Sequence, residues 1–149
     1  MPPSLLDLIQ RYDRPGPRYT GYPMPPVWQE GFPPKEAIAA LARANAKRGE
    51  ALSIYTHIPF CKRRCSYCGC NVTVSPTYTP VEGYLRALEA EVALWAKHLP
   101  DRREVIQLHW GGGTPTYLNV PELRRAFRII TEHFPLRPNA EVAIEVDPT

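Results

Sequence analysis

Four cysteines close together are the part of this sequence best suited to chemistry. They are Cys61, Cys65, Cys68 and Cys70, and the chain contains no other cysteine. Iron–sulfur clusters are held by cysteine thiolates, and one short loop allows three thiolates to reach the same cluster. The basic residues at Lys62–Arg64 favour the thiolate form. The loop therefore predicts a cluster with three protein ligands and one open iron, which is what a catalytic cluster requires.

Structural zinc is the alternative for this loop, because four thiolates can surround one ion as a tetrahedron. Zinc sites usually combine two separated pairs of ligands. The sequence has no second pair of cysteines and no pair of histidines to complete such a site. The spacing therefore favours the cluster over zinc.

Composition excludes several classes of protein. With 44% hydrophobic and 22% charged residues over 149 positions, the chain suits one globular domain. A net charge of +3 is too small to argue for nucleic acid or for a membrane surface. No apolar run approaches the roughly 20 residues that span a bilayer, and the N-terminus lacks the pattern of a signal peptide. We therefore expect a cytoplasmic protein without a membrane span, in which thiols stay reduced.

Strands and helices alternate along the chain and must position the cysteine loop. A proline-rich arm over residues 1–34 is predicted to be extended, and a short helix follows over Pro34–Lys47. Periodicity then predicts three strands, at Leu52–Ile58, Val105–Trp110 and Glu141–Val146. It also predicts two amphipathic helices, one over Val81–His98 and one whose apolar face carries Leu123, Phe127, Ile130 and Phe134. Alternation of strands with long helices indicates parallel strands.

Polar motifs accompany all three predicted strands. The cysteine loop follows the first strand, Gly111–Gly113 follow the second, and Glu145 lies near the end of the third. Ligands of parallel sheets bind beyond the carboxyl ends of the strands, so we expect one shared site. Thr114 is predicted to cap the second amphipathic helix, with Pro115 in its first turn. An acid such as Glu145 on the inner face of a barrel needs a partner, which predicts a ligand-binding role.

The spacing Cys-x3-Cys-x2-Cys resembles the signature of the radical S-adenosylmethionine (SAM) superfamily. Longer strings narrow this resemblance, which extends over essentially the whole chain. They are Arg11–Thr20, Tyr55–Cys61 (YTHIPFC), Tyr67–Asn71 (YCGCN), Gln107–Leu118 (QLHWGGGTPTYL) and Glu141–Pro148 (EVAIEVDP). Together they are similar to the oxygen-independent coproporphyrinogen III oxidases (coproporphyrinogen dehydrogenases) of haem biosynthesis.

The resemblance implies an α/β fold, a partial parallel (βα) barrel of the radical SAM type. We expect about three βα units of an open six-stranded barrel, preceded by an N-terminal arm and helix. The expected division is an arm over residues 1–34 and the truncated N-terminal part of the barrel domain over residues 35–149. Because the predicted sheet ends on an uncovered edge strand, we interpret the chain as part of a longer enzyme and expect it to be inactive alone.

The resemblance also implies residues for two cofactors, a [4Fe–4S] cluster and SAM, of which a complete enzyme binds two molecules. The cluster ligands are Cys61, Cys65 and Cys68. The residues expected to contact SAM are Tyr55, Tyr67, Gly112, Gly113, Thr114 and Glu145, with Glu145 on the ribose hydroxyls. His57 and Cys70 are candidate catalytic residues, beside the cluster or on the side of the substrate. The other histidines, at positions 98, 109 and 133, receive no role.

The implied reaction is the oxidative decarboxylation of coproporphyrinogen III. Reductive cleavage of SAM gives a 5′-deoxyadenosyl radical, which removes hydrogen from the β-carbon of a propionate. Loss of CO2 and one electron leaves a vinyl group, and two rounds give protoporphyrinogen IX. We expect a monomer that uses an electron donor such as a flavodoxin or ferredoxin. The carboxylates of this tetrapyrrole need basic partners, for which Arg14, Arg18 and Lys62–Arg64 are candidates.

Two other radical SAM relatives remain as alternatives. Haem chaperones share the fold and the cluster motif, but they typically lack an equivalent of Cys70 and of the N-terminal arm. Haem-degrading methyltransferases share the core motif as well. This chain has both Cys70 and the N-terminal arm, which favours the decarboxylating enzyme.

Overall fold

The structure is a computed structural model that describes residues 4–13 and 31–147. Contacts divide the chain into two compact units, Met1–Pro33 and Pro34–Thr149. In the first unit the described residues form one helix, α1 (Leu5–Tyr12), which begins at a capping box between Ser4 and Asp7. The prediction of an extended arm was therefore wrong for Leu5–Tyr12, because a capping box at Ser4 outweighs the weak periodicity. Arg14 and Arg18 lie outside the described residues.

The second unit alternates strands and helices as the sequence predicts. Its elements are α2 (Pro34–Asn45), β1 (Leu52–Ile58), β2 (Phe60–Cys61), β3 (Thr73–Val74), α3 (Pro80–His98), β4 (Val105–Gly112), a 3₁₀ turn at Pro115–Tyr117, α4 (Val120–His133) and β5 (Leu136–Ile144). The bounds of β1 agree with the prediction, and α3 begins one residue earlier than predicted. No helix in the described part of the chain is long and apolar enough to cross a membrane.

The main sheet has three parallel strands in the order β1-β4-β5. Its register places Tyr55 beside His109 and Ile58 beside Gly112. The parallel (βα) arrangement predicted from the sequence is thus confirmed. A second, separate sheet consists of β2 and β3, in which Phe60 pairs with Thr73 and Cys61 with Val74. These two-residue strands have no periodic pattern, and the sequence does not predict them.

Helices α3 and α4 pack on the sheet through their apolar residues and form one core with it. Its most buried large side chains include Ile58, Leu85, Leu108 and Ile130, each at most 1% exposed. Full burial of such a side chain contributes about 1.5–3 kcal/mol. Because side chains alternate along a strand, the intervening residues Ser53, Tyr55, His57, Gln107 and His109 lie on the opposite face of the sheet.

Three details of the second and third βα units differ from the predictions. Thr114 begins the 3₁₀ turn without a capping bond from its side chain, and α4 begins instead at a capping box between Asn119 and Glu122. Phe127, predicted in the core, is 37% exposed, whereas the adjacent Ala126 is fully buried. Strand β5 starts at Leu136 and ends at Ile144, so Glu145 follows the strand directly.

Candidate functional site

The cysteine loop is anchored at both ends by backbone hydrogen bonds. Cys61 lies in β2 and is 9% exposed. The amide of Thr73 donates to the Pro59 carbonyl at 2.7 Å, and the amide of Ser75 donates to the Cys61 carbonyl at 3.2 Å. The chain thus leaves the core at a buried cysteine and returns beside it, which closes the intervening residues into one loop.

The other cysteines lie on a turn within this loop. The amide of Cys68 donates to the Cys65 carbonyl at 3.1 Å, which closes a tight turn. Cys68 is half-buried, Cys65 and Cys70 are exposed, and all four cysteines carry free thiols. In residues 4–13 and 31–147, no three His, Cys, Asp or Glu side chains are grouped so that they could hold a single metal ion. The donor set, several thiols on one loop, fits the chemistry of an iron–sulfur cluster.

The glycine-rich turn at the end of β4 packs directly against the first cysteine. Gly111 and Gly112 are the last residues of the strand, whereas the sequence predicts that all three glycines follow it. The amides of Gly113 and Thr114 donate to the carbonyls of Ile58 at 2.8 Å and Phe60 at 2.9 Å. A Cβ at Gly113 would lie 2.9 Å from the Cys61 sulfur and 2.8 Å from two backbone oxygens. Gly112 has φ +120°, and a Cβ there would lie 2.6 Å from the Ile58 oxygen. Both positions therefore require glycine.

Tyr55 and His57 connect β1 to the cysteine loop. His57 Nε2 lies 2.8 Å from the carbonyl oxygen of Asn71, which can only accept, so Nε2 carries the proton. In the neutral ring Nδ1 then accepts, and the Tyr55 hydroxyl, 3.1 Å away, donates to it. The structure thus brings both sequence-predicted residues together and fixes the tautomer of His57.

Glu145 lies at the end of β5 and contacts a histidine to which sequence reasoning gives no role. Its amide donates to the Trp110 carbonyl at 2.9 Å, which continues the ladder of the sheet. Its Oε1 lies 3.2 Å from His109 Nε2. The His109 ring stacks on Tyr55 with centroids 5.8 Å apart. Side chains alternate between the two faces of a sheet, and His109 lies on the same face of the predicted sheet as Tyr55. This shared face is the signal that could have identified His109.

Gly111 belongs to the predicted glycine motif, but sequence reasoning gives it no contact of its own. A Cβ on it would lie 2.8 Å from the Tyr55 ring and hydroxyl and 3.0 Å from the carboxyl carbon of Glu145. Glycine at this position therefore allows Tyr55 and Glu145 to approach each other above β4.

Electrostatic interactions place Cys70 in the same group of residues. Burial, followed by the negative charges of Glu145 and Cys70, raises the pKa of Tyr55. Burial, a hydrogen bond with Cys68 and the charges of Cys68, Glu145 and Cys61 raise the pKa of Cys70. Both shifts favour the protonated hydroxyl and thiol. The side chain of Tyr67, in contrast, is 89% exposed.

Comparison with known proteins agrees with this geometry. Residues 55–149, more than half of the chain, match the family model of the radical SAM superfamily. A curated protein of Escherichia coli (strain K12), named oxygen-independent coproporphyrinogen III oxidase, is 45% identical over 143 residues, which cover 96% of this chain and 30% of the relative. A protein of the same name from Mannheimia haemolytica is 41% identical over 143 residues, covering 96% of this chain and 95% of the relative.

A solved structure gives the same result. It is described as coproporphyrinogen III oxidase (HemN) from Escherichia coli, a radical SAM enzyme. The two chains superpose with a TM-score of 0.80 at 40% identity, over 95% of this chain and 30% of that one. The chain thus spans about 30% of the length of several of its relatives. Membership of the superfamily implies a [4Fe–4S] cluster and SAM, rather than structural zinc. The chain belongs to the radical SAM superfamily and, within it, to the family of oxygen-independent coproporphyrinogen III oxidases.

Proposed function

We propose that the protein containing this chain converts coproporphyrinogen III to protoporphyrinogen IX in haem biosynthesis, as an oxygen-independent oxidoreductase. The supporting observation is that the cysteine loop, the glycine-rich turn, Tyr55 and Glu145 all meet at the carboxyl end of one parallel sheet. When bound, the cluster and SAM supply the radical chemistry that removes a hydrogen atom from an unactivated carbon. The contribution of the chain is to bind and orient these groups.

Cys61, Cys65 and Cys68 are the proposed cluster ligands. Cys61 is fixed in β2 and contacts the glycine-rich turn, whereas Cys65 and Cys68 lie on the more exposed turn. Thiolates are the ligand form of cysteine in such clusters. In this proposal Cys70 does not bind iron.

The proposed SAM contacts surround Cys61. Gly113 and Thr114 lie against the cluster ligand Cys61, and their amides are held by the Ile58 and Phe60 carbonyls. Together with Gly112, they are the proposed backbone contacts of SAM. The exposed carboxylate of Glu145 is suited to accept hydrogen bonds from ribose hydroxyls. Tyr55 supports this end of the site, and the backbone of Tyr67 is assigned to the adenine. The complete enzyme is proposed to bind two SAM molecules, by family resemblance.

The substrate step proceeds on a propionate side chain. Removal of a hydrogen atom from the β-carbon leaves a carbon radical, and loss of CO2 with one electron converts it to a vinyl group. The electron must leave to an acceptor, and the hydrogen has already gone to the radical that removed it. His57 and Cys70 are the proposed catalytic residues, because His57 contacts the cysteine loop at Asn71 and Cys70 lies beside the proposed ligand Cys68.

The proposed function also implies partners and a cellular location. Lys62, Arg63 and Arg64 are exposed beside the cluster ligands, so they could meet either substrate carboxylates or an acidic electron donor such as a flavodoxin or ferredoxin. Free thiols and an iron–sulfur centre suit the cytoplasm. We further propose a monomer, with an arm over residues 1–34 and the N-terminal part of a barrel domain over residues 35–149.

Anaerobic iron–sulfur reconstitution followed by electron paramagnetic resonance (EPR) tests the proposal. We expect a [4Fe–4S]⁺ signal that shifts when SAM is added, is absent in Cys65→Ala and persists in Cys70→Ala. A folded protein that binds zinc, or a cluster signal indifferent to SAM, would contradict the assignment. In the complete protein, stoichiometric haem binding without decarboxylation would instead support a chaperone, and methyl transfer to haem would support a haem-degrading enzyme.

A further inference from the structure

We propose that His109 is a positioning residue for Glu145, which orients one carboxylate oxygen toward the ribose hydroxyls of SAM. This inference rests on the proposed function, because it concerns how Glu145 meets that ligand. A carboxylate can only accept, so the Nε2–H of His109 donates to Oε1 across 3.2 Å. In the described part of the chain no hydrogen bond reaches Oε2, and the side chain of Glu145 is 55% exposed. That second oxygen is therefore the one presented to a ligand.

The position of His109 is itself fixed on two sides. Its backbone lies in β4, in register with Tyr55 on β1 and Ala143 on β5. Its ring stacks on Tyr55 at an interplanar angle of 20°. The Tyr55 hydroxyl is in turn bound by His57, which is held by the Asn71 carbonyl. The ring of His109 thus rests on a series of contacts that begins in the cysteine loop.

Glu145 needs such a partner more than a residue inside the strand would. It follows the last residue of β5, and its backbone is tied to the sheet through the Trp110 carbonyl. A free glutamate side chain samples several rotamers, and ordering it on binding lowers affinity. A donor already in place on His109 reduces this cost.

The experiment measures SAM affinity in the reconstituted full chain by anaerobic equilibrium dialysis. In His109→Phe, the ring can still stack on Tyr55 but cannot donate, and we expect SAM to bind about tenfold more weakly, as for loss of one hydrogen bond to a charged group. His109→Gln retains an amide donor and should restore most of the affinity. Gln107→Leu is the matched control, since Gln107 lies on the same strand and face but bonds to Glu141 instead. It should bind SAM like the unaltered chain.

A double-mutant cycle separates positioning from a general structural role. In a Glu145→Ala background, His109→Phe should cause almost no further loss of affinity. A SAM analogue without ribose hydroxyls should bind the unaltered chain and His109→Phe equally well. Iron content should be the same in all variants, which checks that each one is folded.

Unchanged SAM binding in His109→Phe, or losses that add independently in the double mutant, would overturn the inference while the proposed function stands. If the unaltered chain holds a cluster but does not bind SAM, the proposed function fails, and this inference fails with it.

Discussion

The sulfur of Cys61 lies 3.5 Å from the hydroxyl oxygen of Thr114, although 53 positions separate the two residues in sequence. This contact joins the cysteine loop after β1 to the glycine-rich turn at the end of β4. The two elements proposed to bind the cluster and SAM therefore pack against each other within this chain. We expect substitutions near this contact to change cluster assembly or SAM binding, depending on which atoms the new side chain displaces.

Gly113→Ala should prevent stable cluster assembly. The new methyl group would meet the Cys61 sulfur and two backbone oxygens at 2.8–2.9 Å, and backbone cannot move aside cheaply. We expect less iron per chain after reconstitution and a loss of about 1–3 kcal/mol in the free energy of unfolding. Gly83→Ala is the control, because nothing lies within 4 Å of its Cβ position in α3. It should leave iron content unchanged and stabilise the helix by up to about 1 kcal/mol. Equal iron content in both variants would refute the prediction.

Gly111→Ala should weaken SAM binding and leave the cluster intact. Its methyl group meets the side chains of Tyr55 and Glu145 at 2.8–3.0 Å rather than backbone, so these side chains can rotate away. That rotation displaces the carboxylate proposed to bind ribose, and we expect about a tenfold loss of SAM affinity. Iron analysis and equilibrium dialysis on the same sample measure both effects. Loss of the cluster in Gly111→Ala would contradict the prediction that Gly111 affects SAM binding and Gly113 affects cluster assembly.

Asn119→Ala should lower stability by about 1 kcal/mol, because Asn119 accepts from the Glu122 amide at 3.0 Å in the capping box of α4. Thr79→Ala is the matched control: Thr79 is the N-cap of α3 but makes no capping hydrogen bond with its side chain. Its replacement should change stability much less. Urea unfolding at pH 7 compares the two, and a larger effect at Thr79 would contradict the capping assignment.

The stability of the chain should fall as the pH rises from about 10 to about 12. Burial, with the charges of Glu91 and Tyr55, raises the pKa of Tyr84 to about 12. Unfolded tyrosine ionises near 10, so between these values the unfolded state holds fewer protons and alkali favours unfolding. Tyr84→Phe should flatten this slope, and at pH 7 it should cost about 1 kcal/mol through loss of the hydrogen bond to the His57 carbonyl. Urea midpoints across this pH range measure the slope, and an unchanged slope in Tyr84→Phe would disprove the role of Tyr84.

Features with a strong local pattern could be predicted from the sequence. Strand β1 and helix α3 follow from β-branched and amphipathic runs, and alternation of strands with helices predicts the parallel sheet. Among the residues assigned to the site, the contact of Thr114 with Cys61 and the meeting of Tyr55 with His57 agree with one shared location. The roles assigned to these residues stay predictions.

What could not be predicted depends on contacts between distant segments. His109 meets Glu145 only because β4 and β5 pair in a particular register, which no local pattern specifies. The β2–β3 pair rests on two residues in each strand, too few for any periodicity. The sequence predicts Thr114 as a helix cap, but a 3₁₀ turn at Pro115–Tyr117 follows it and its hydroxyl lies beside the Cys61 sulfur. Helix α4 therefore begins later, at the capping residue Asn119.

The pairing of β2 with β3, outside the main sheet, also bears on repair after oxygen damage. Exposed iron–sulfur centres are readily lost in air, and a protein that unfolded each time would be degraded. Here both ends of the cysteine loop are tied by hydrogen bonds that involve no metal, and Phe60 of β2 is part of the buried core. The emptied loop should therefore keep its framework, and iron and sulfide can be reloaded onto a chain that has stayed folded.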